Sequence, residues 1–253
     1  MPTYRIDVAY DGSRFHGYAR QPGVRTIQGE LEEALFRLTG PVDTFVAGRT
    51  DRGVHASGQV ISFRVPVAAD PIRIQQSLNR QLGPEIAILG CFEAPDGFHA
   101  RFSATSRRYS YRILNRGAPD PFRAATSWHV SDPLDVGAMN RAAACFVGEH
   151  DFAAFCRKAA GASTVRRVHH ARWQRRSDVV AFDVEASAFC HQMVRSLVAL
   201  CVAVGRGRVD PADVPAIMES ADRNSAQGAA PAHGLTLVEV CYEEASSADR
   251  EAR

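Results

Sequence analysis

A chain of 253 residues, 45% of them hydrophobic, is long and apolar enough for one large domain or two small ones, which excludes disordered and fibrous classes. Its formal net charge of +2 hides a skew: of 30 basic residues all but Lys158 are arginine, whose planar fork suits phosphates and stacks on bases. The six cysteines show neither a CxxC pair nor zinc-finger spacing, and the longest apolar run, Leu197 to Val204, is too short to cross a bilayer, so no metal site, disulfide framework or membrane span is expected.

Tyr4, Ile6, Val8 and Tyr10 alternate as a strand that stops at the turn pair Asp11-Gly12. No signal peptide precedes it, which points to a cytoplasmic protein. The segment to Gly23 is irregular, with Arg14, Arg20 and Arg25 exposed. Thr26 then caps a helix with Ile27, Leu31, Ala34, Leu35 and Leu38 on one stripe, ended by Gly40-Pro41. Val42 to Ala47 and Gln59 to Val65 read as strands. Asp70-Pro71 opens a helix with Ile74, Leu78 and Leu82 inward, and Ile86 to Phe92 is the next strand.

This order, strand, helix, strand, strand, helix, strand, is that of the ferredoxin-like unit shared by RNA-recognition modules. The second half repeats it: a strand over Arg107 to Leu114, a helix over Asp135 to Val147, and strands over Val165 to Arg175 and Val179 to Ala186. A helix follows over Phe189 to Val204, with Met193, Leu197, Leu200 and Val204 on one stripe, then a strand over Thr236 to Tyr242. A short extra helix starts at Asp210-Pro211. The expected fold is therefore α+β. Two ferredoxin-like βαββαβ halves, 1–103 and 104–244, join into a mixed, mostly antiparallel sheet with helices on one face and a catalytic cleft between the halves. The tail, 245–253, reads as disordered.

Chemistry concentrates between the second and third strands, where Ala47 to Ala56 pack two arginines, one carboxylate and two glycines into a loop. Arg49 and Arg52 flank Asp51, which favours an ionised carboxylate suited to a nucleophile or a base. A turn former with surface ion pairs fits the same residues. Phe152 to Ser177 contains no acidic residue and seven basic ones, Arg166 and Arg167 among them; Phe98 to Ala118 is likewise acid-free and holds Tyr109 and Tyr111. Such stripes are either a nucleic-acid surface or a plain solvated face. On the predicted long helix His191 and Arg195 are four apart and share a face, from which Arg195 can reach Asp51 across the cleft; an ordinary surface pair fits equally.

Several blocks in order resemble the tRNA pseudouridine synthase A family: Tyr10-Asp11-Gly12, Thr26-Ile27-Gln28, Ala47 to Ala56, Phe98-His99-Ala100-Arg101, Arg108-Tyr109-Ser110-Tyr111, His150-Asp151-Phe152 and Met193-Val194-Arg195. The resemblance implies isomerisation of uridine to pseudouridine in the anticodon stem-loop of transfer RNA, without metal or organic cofactor, by a homodimer. It implies Asp51 as the catalytic aspartate, Arg49 as the residue that helps extrude the base, Tyr109 as the ring stacking on it, and Arg195 as the ion-pair partner of Asp51. Tyr109 is also a candidate to take the C5 proton. His55, Arg14, Arg166 and Arg167 complete the expected substrate contacts. Departures fall at Tyr18-Ala19, Leu82-Gly83-Pro84, Cys190 and Gln192, and put only local RNA contacts in question. A non-catalytic RNA-binding module of tandem halves, and a two-carboxylate glycosidase using Asp51 with Asp11 or Asp151, are the competing readings.

Overall fold

The computed structural model describes residues 1–157 and 161–243; Lys158 and the expected disordered tail, 245–253, lie outside the described residues. Strand β1 (Thr3–Tyr10) buries Tyr4, Ile6, Val8 and Tyr10, as their alternation requires. Helix α1 (Ile27–Thr39) begins where the Thr26 hydroxyl accepts from Gly29 N, and ends at Gly40, whose φ of 79° leaves the helical region. Leu38, expected on the buried stripe, is instead exposed in the last turn.

Strand β2 (Thr44–Val46) pairs only with the far end of β3 (His55–Arg64). β3 starts four residues ahead of the expected Gln59, because its first residues find partners elsewhere. Ala56 pairs with Tyr10, while His55 and Ala56 lie beside Thr236 and Leu237. Helix α2 (Pro71–Leu82), capped by Asp70, and strand β4 (Ile86–Ala94) follow as expected.

The chain continues with β5 (Ala104–Asn115), β6 (Trp128–Val130), α3 (Val136–Ala144), β7 (Gly148–Asp151), β8 (Val165–Arg176) and β9 (Val179–Ala186). It ends with α4 (Met193–Gly205), α5 (Val214–Glu219) and β10 (Leu235–Tyr242). β6 and β7, with three and four residues, are too short to show a period of two and were not expected.

The ten strands of the described residues form one mixed, mostly antiparallel sheet in the order β4-β1-β3-β10-β5-β9-β8-β7, with β2 beside β3 and β6 beside β5. β10 runs parallel to β3 and antiparallel to β5, so the last strand joins the two parts of the sheet. Gly58 permits that junction: a Cβ there would stand 2.2 Å from Val238 O.

α4 departs furthest from expectation. It is buried all round except at Arg195, so it is a core helix rather than an amphipathic one. It also starts later, because Gln192 adopts φ 66°, and His191 therefore precedes the helix instead of sharing a face of it with Arg195. Among the described residues no helix is long and apolar enough to cross a membrane.

Candidate active site

The loop between β2 and β3 is fixed from below by a buried hydrogen-bond network. Gln59 Nε2 donates to Gly48 O at 2.7 Å and to Tyr10 Oη at 3.2 Å, and Tyr10 Oη lies 2.8 Å from Thr50 Oγ1. Burial raises the Tyr10 phenol to about 12, so it serves this network as a neutral hydroxyl. Tyr18 N donates to Thr50 O, and Arg107, itself buried, donates from Nη2 to Ala47 O at 2.9 Å. The same guanidinium reaches Ser187 O, which ties the loop to the stretch leading into α4. At the other end Gly53, at φ 78°, turns the chain into β3.

Asp51 stands on this base, about a quarter exposed, and meets two cationic or potentially cationic groups. Arg195 Nη1 donates to its Oδ2 at 3.1 Å, and His191 Nε2 lies 3.2 Å from its Oδ1. Neither of its neighbours in sequence does so: Arg49 and Arg52 are exposed, and among the described residues neither pairs with Asp51. The electrostatic support expected from the loop thus comes from the start of α4. Arg195 is 17% exposed and is held in turn by Ala230, whose carbonyl accepts from its Nε at 2.7 Å. A guanidinium fixed at two points aims the carboxylate as well as neutralising it.

Tyr109 completes the group. Its hydroxyl lies 3.8 Å from where a Gly48 Cβ would stand, and its ring meets Phe189 edge-on at 5.1 Å. Burial above all, with the nearby Asp51 carboxylate adding, pushes its phenol well above the usual range. It is therefore a neutral hydroxyl and an apolar ring, which weakens it as the base for C5. Tyr111, its partner in alternation, is fully buried and donates to Pro231 O, so no base can reach it.

Among the described residues none of the remaining expected contacts pairs with Asp51. His55 is buried, with Nδ1 accepting from Gly12 N at 3.2 Å and Nε2 3.0 Å from Ala125 O and 3.1 Å from His233 O. The early start of β3 turns this ring into the interior, where it ties together Gly12, Ala125 and His233. Arg14 is highly exposed and pairs with Glu85, and Arg167 pairs with Glu149 across the β7–β8 edge. Arg166, half-buried on β8, acts electrostatically on Cys190, the residue before His191. His191 itself was passed over as an Asp51 partner, and the Tyr10–Thr50–Gln59 network was not anticipated.

Cys190 carries a testable consequence of this packing. A hydrogen bond from the Cys156 thiol, with the charge of Arg166 adding, holds the Cys190 thiol below the usual range, whereas burial raises the Cys91 and Cys201 thiols. Iodoacetamide at pH 7.5 is expected to alkylate Cys190 ahead of the other cysteines, and activity to fall in step because the adduct displaces His191 and Phe189. Peptide mass mapping against activity, with Cys190→Ser as a resistant control, checks this.

A family model described as tRNA pseudouridine synthase matches residues 7–103 and 142–243. A tRNA pseudouridine synthase A of Frankia casuarinae is 50% identical over 243 residues, 94% of this chain and 88% of that protein. Its counterpart in Moorella thermoacetica is 45% identical over 252 residues, covering 96% and 100%. The one in Leifsonia xyli is 44% identical over 264 residues, covering 94% and 91%. With a family model spanning most of its length and such relatives aligned from end to end, this chain belongs to the tRNA pseudouridine synthase family.

Proposed function

We propose that this isomerase converts uridine to pseudouridine in the anticodon stem-loop of transfer RNA, with Asp51 acting on the extruded nucleotide. The observation that carries the reading is a single one: an aspartate on a glycine-bounded loop, part-exposed, gripped by Arg195 at 3.1 Å and beside His191 at 3.2 Å. That arrangement directs a carboxylate at a point where a nucleotide can arrive.

The reaction breaks the bond from uracil N1 to ribose C1′, turns the base, and joins C5 to C1′, releasing the C5 proton. A base inside a stem must first leave the stack, at a cost of a few kcal/mol. Arg49, exposed beside Asp51, is positioned to occupy the space it leaves, and Tyr109 supplies an apolar wall for the extruded ring. Asp51 then attacks C1′, adds to the base, or removes a ribose proton. Because the Tyr109 phenol stays protonated, Asp51 is the better candidate to receive the C5 proton once its first task is done.

The architecture supports two ferredoxin-like halves, 1–103 and 104–244. Leaving aside the short β6 and β7, each half orders its strands fourth, first, third, second: β4-β1-β3-β2 and β10-β5-β9-β8. α1 packs on α2, and α3 on α4, in keeping with helices layered on the sheet. A homodimer in the cytoplasm, with transfer RNA lying across both subunits, fits this reading.

A glycosidase needs a second, protonated carboxyl. Burial works upward on Asp11, yet hydrogen bonds from Ser13 and the neighbouring His55 bring its carboxyl below the usual range, which disfavours it as an acid. Asp151 is engaged by Thr164 Oγ1 and Ala153 N.

Carbodiimide labelling followed by primer extension on unmodified transfer RNA tests the substrate assignment. Stops are expected at uridines of the anticodon stem-loop and nowhere else. Stops confined to another arm would refute the stem-loop assignment while leaving the isomerase.

A further inference from the structure

The segment Phe98 to Ser103, between β4 and β5, is tightly built. Ser103 N donates to His99 O at 2.9 Å and His99 N to Ser103 Oγ at 3.0 Å. Ala100, fully buried, donates to Ser62 Oγ and accepts from the Tyr242 hydroxyl at 2.8 Å. His99 Nδ1 accepts from Arg101 N at 3.1 Å, so the ring proton sits on Nε2, which has no partner among the described residues.

This frame holds three rings in a row. Phe45 and His99 have centroids 4.7 Å apart, His99 and Phe102 4.4 Å, and the Arg101 guanidinium lies 5.6 Å from the Phe102 centroid. Phe45 is 46% exposed and Phe102 77%. Single exposed apolar residues are ordinary, but adjoining rings on a fixed turn, rimmed by a cation in an acid-free stretch, have the make-up of a base-stacking surface.

Its place matters as much as its make-up. One nitrogen, Arg107 Nη2, donates both to Arg101 O at 2.7 Å and to Ala47 O at 2.9 Å. Phe45 precedes Ala47 by two residues and Asp51 follows it by four, so the six-residue stretch from Phe45 to Asp51 spans at most about 22 Å. Extruding a uridine leaves its neighbours without a stacking partner, and a platform at this distance can supply one.

We propose that Phe45, His99 and Phe102 stack an unpaired base flanking the target uridine, with Arg101 meeting the adjoining phosphate. This rests on Asp51 as the reactive centre. Phe45→Ala combined with Phe102→Ala should weaken stem-loop RNA binding roughly 5-fold or more, the worth of one stacked base. Turnover at saturating RNA should stay within about two-fold, and Phe102→Trp should keep full affinity.

The direct probe is a stem-loop RNA carrying 2-aminopurine beside the target uridine. Its fluorescence should be quenched on binding the wild type and restored in the double variant. Unchanged affinity and unchanged quenching would overturn the proposal. So would loss of a dimer in sedimentation with quenching retained, which would assign the rings to a second copy of the chain. Tritium release from C5 separates the two levels. Release by the wild type, with affinity and quenching unchanged in the double variant, sinks the platform alone, whereas absence of release sinks the reading of Asp51 itself.

Discussion

Asp51→Ala is expected to abolish pseudouridine formation while transfer RNA affinity stays within a few-fold of the wild type. The substitution removes the one carboxylate that both Arg195 and His191 face, and no neighbouring group can replace it. Loss of a group that acts covalently or as a base costs at least about 10⁴-fold in turnover. Binding should not suffer, because the cleft loses a negative charge and keeps its cations, which favours a polyanion. Slightly tighter binding is therefore the expected direction. Filter binding beside single-turnover kinetics checks both halves, and a Kd raised more than about ten-fold would mean that Asp51 serves mainly to hold the fold or the RNA.

The second large effect falls on Arg195. Arg195→Met should lower turnover on the order of 10² to 10³-fold, the usual consequence of removing one aimed charge-assisted hydrogen bond from a reacting group. Two contacts disappear together: the bond to Asp51 Oδ2 at 3.1 Å, and the bond to Ala230 O at 2.7 Å that fixes the guanidinium. Arg195→Lys should recover little, since an ammonium has no planar fork with which to serve a carboxylate and a carbonyl at once. RNA affinity again stays within a few-fold, because the side chain is only 17% exposed and already occupied. Equal losses in affinity and turnover would contradict this account of Arg195 as a positioning partner for Asp51.

The order of elements was legible because α1 and α2 carry caps at Thr26 and Asp70 and because β1 and β5 alternate cleanly. What could not be read depends on partners distant in sequence. β3 begins at His55 only because β1 and β10 lie beside it, and that pairing turns the His55 ring inward. α4 shows no polar face because it is covered on every side, so its apolar residues form no stripe. Its start is set by the backbone of Gln192, which nothing in the local sequence announces.

The site shows the same division. Asp51 stood out by its loop, and Arg195 by its charge in an apolar helix. The cations flanking Asp51 in sequence misled, since in a turn adjacent residues point apart, and the support comes instead from residues 140 and 144 positions away. Tyr10, Thr50 and Gln59 form one network through three separate segments, and a single sequence carries no sign of such coupling.

The most direct test is release of tritium from transfer RNA labelled at uracil C5, with wild type and Asp51→Ala compared. Isomerisation changes no mass, but joining C5 to C1′ must expel the hydrogen at C5. The account predicts stoichiometric release by the wild type and none by the variant at equal RNA occupancy. Release that persists in Asp51→Ala, or its absence from a wild type that binds the RNA tightly, would contradict it.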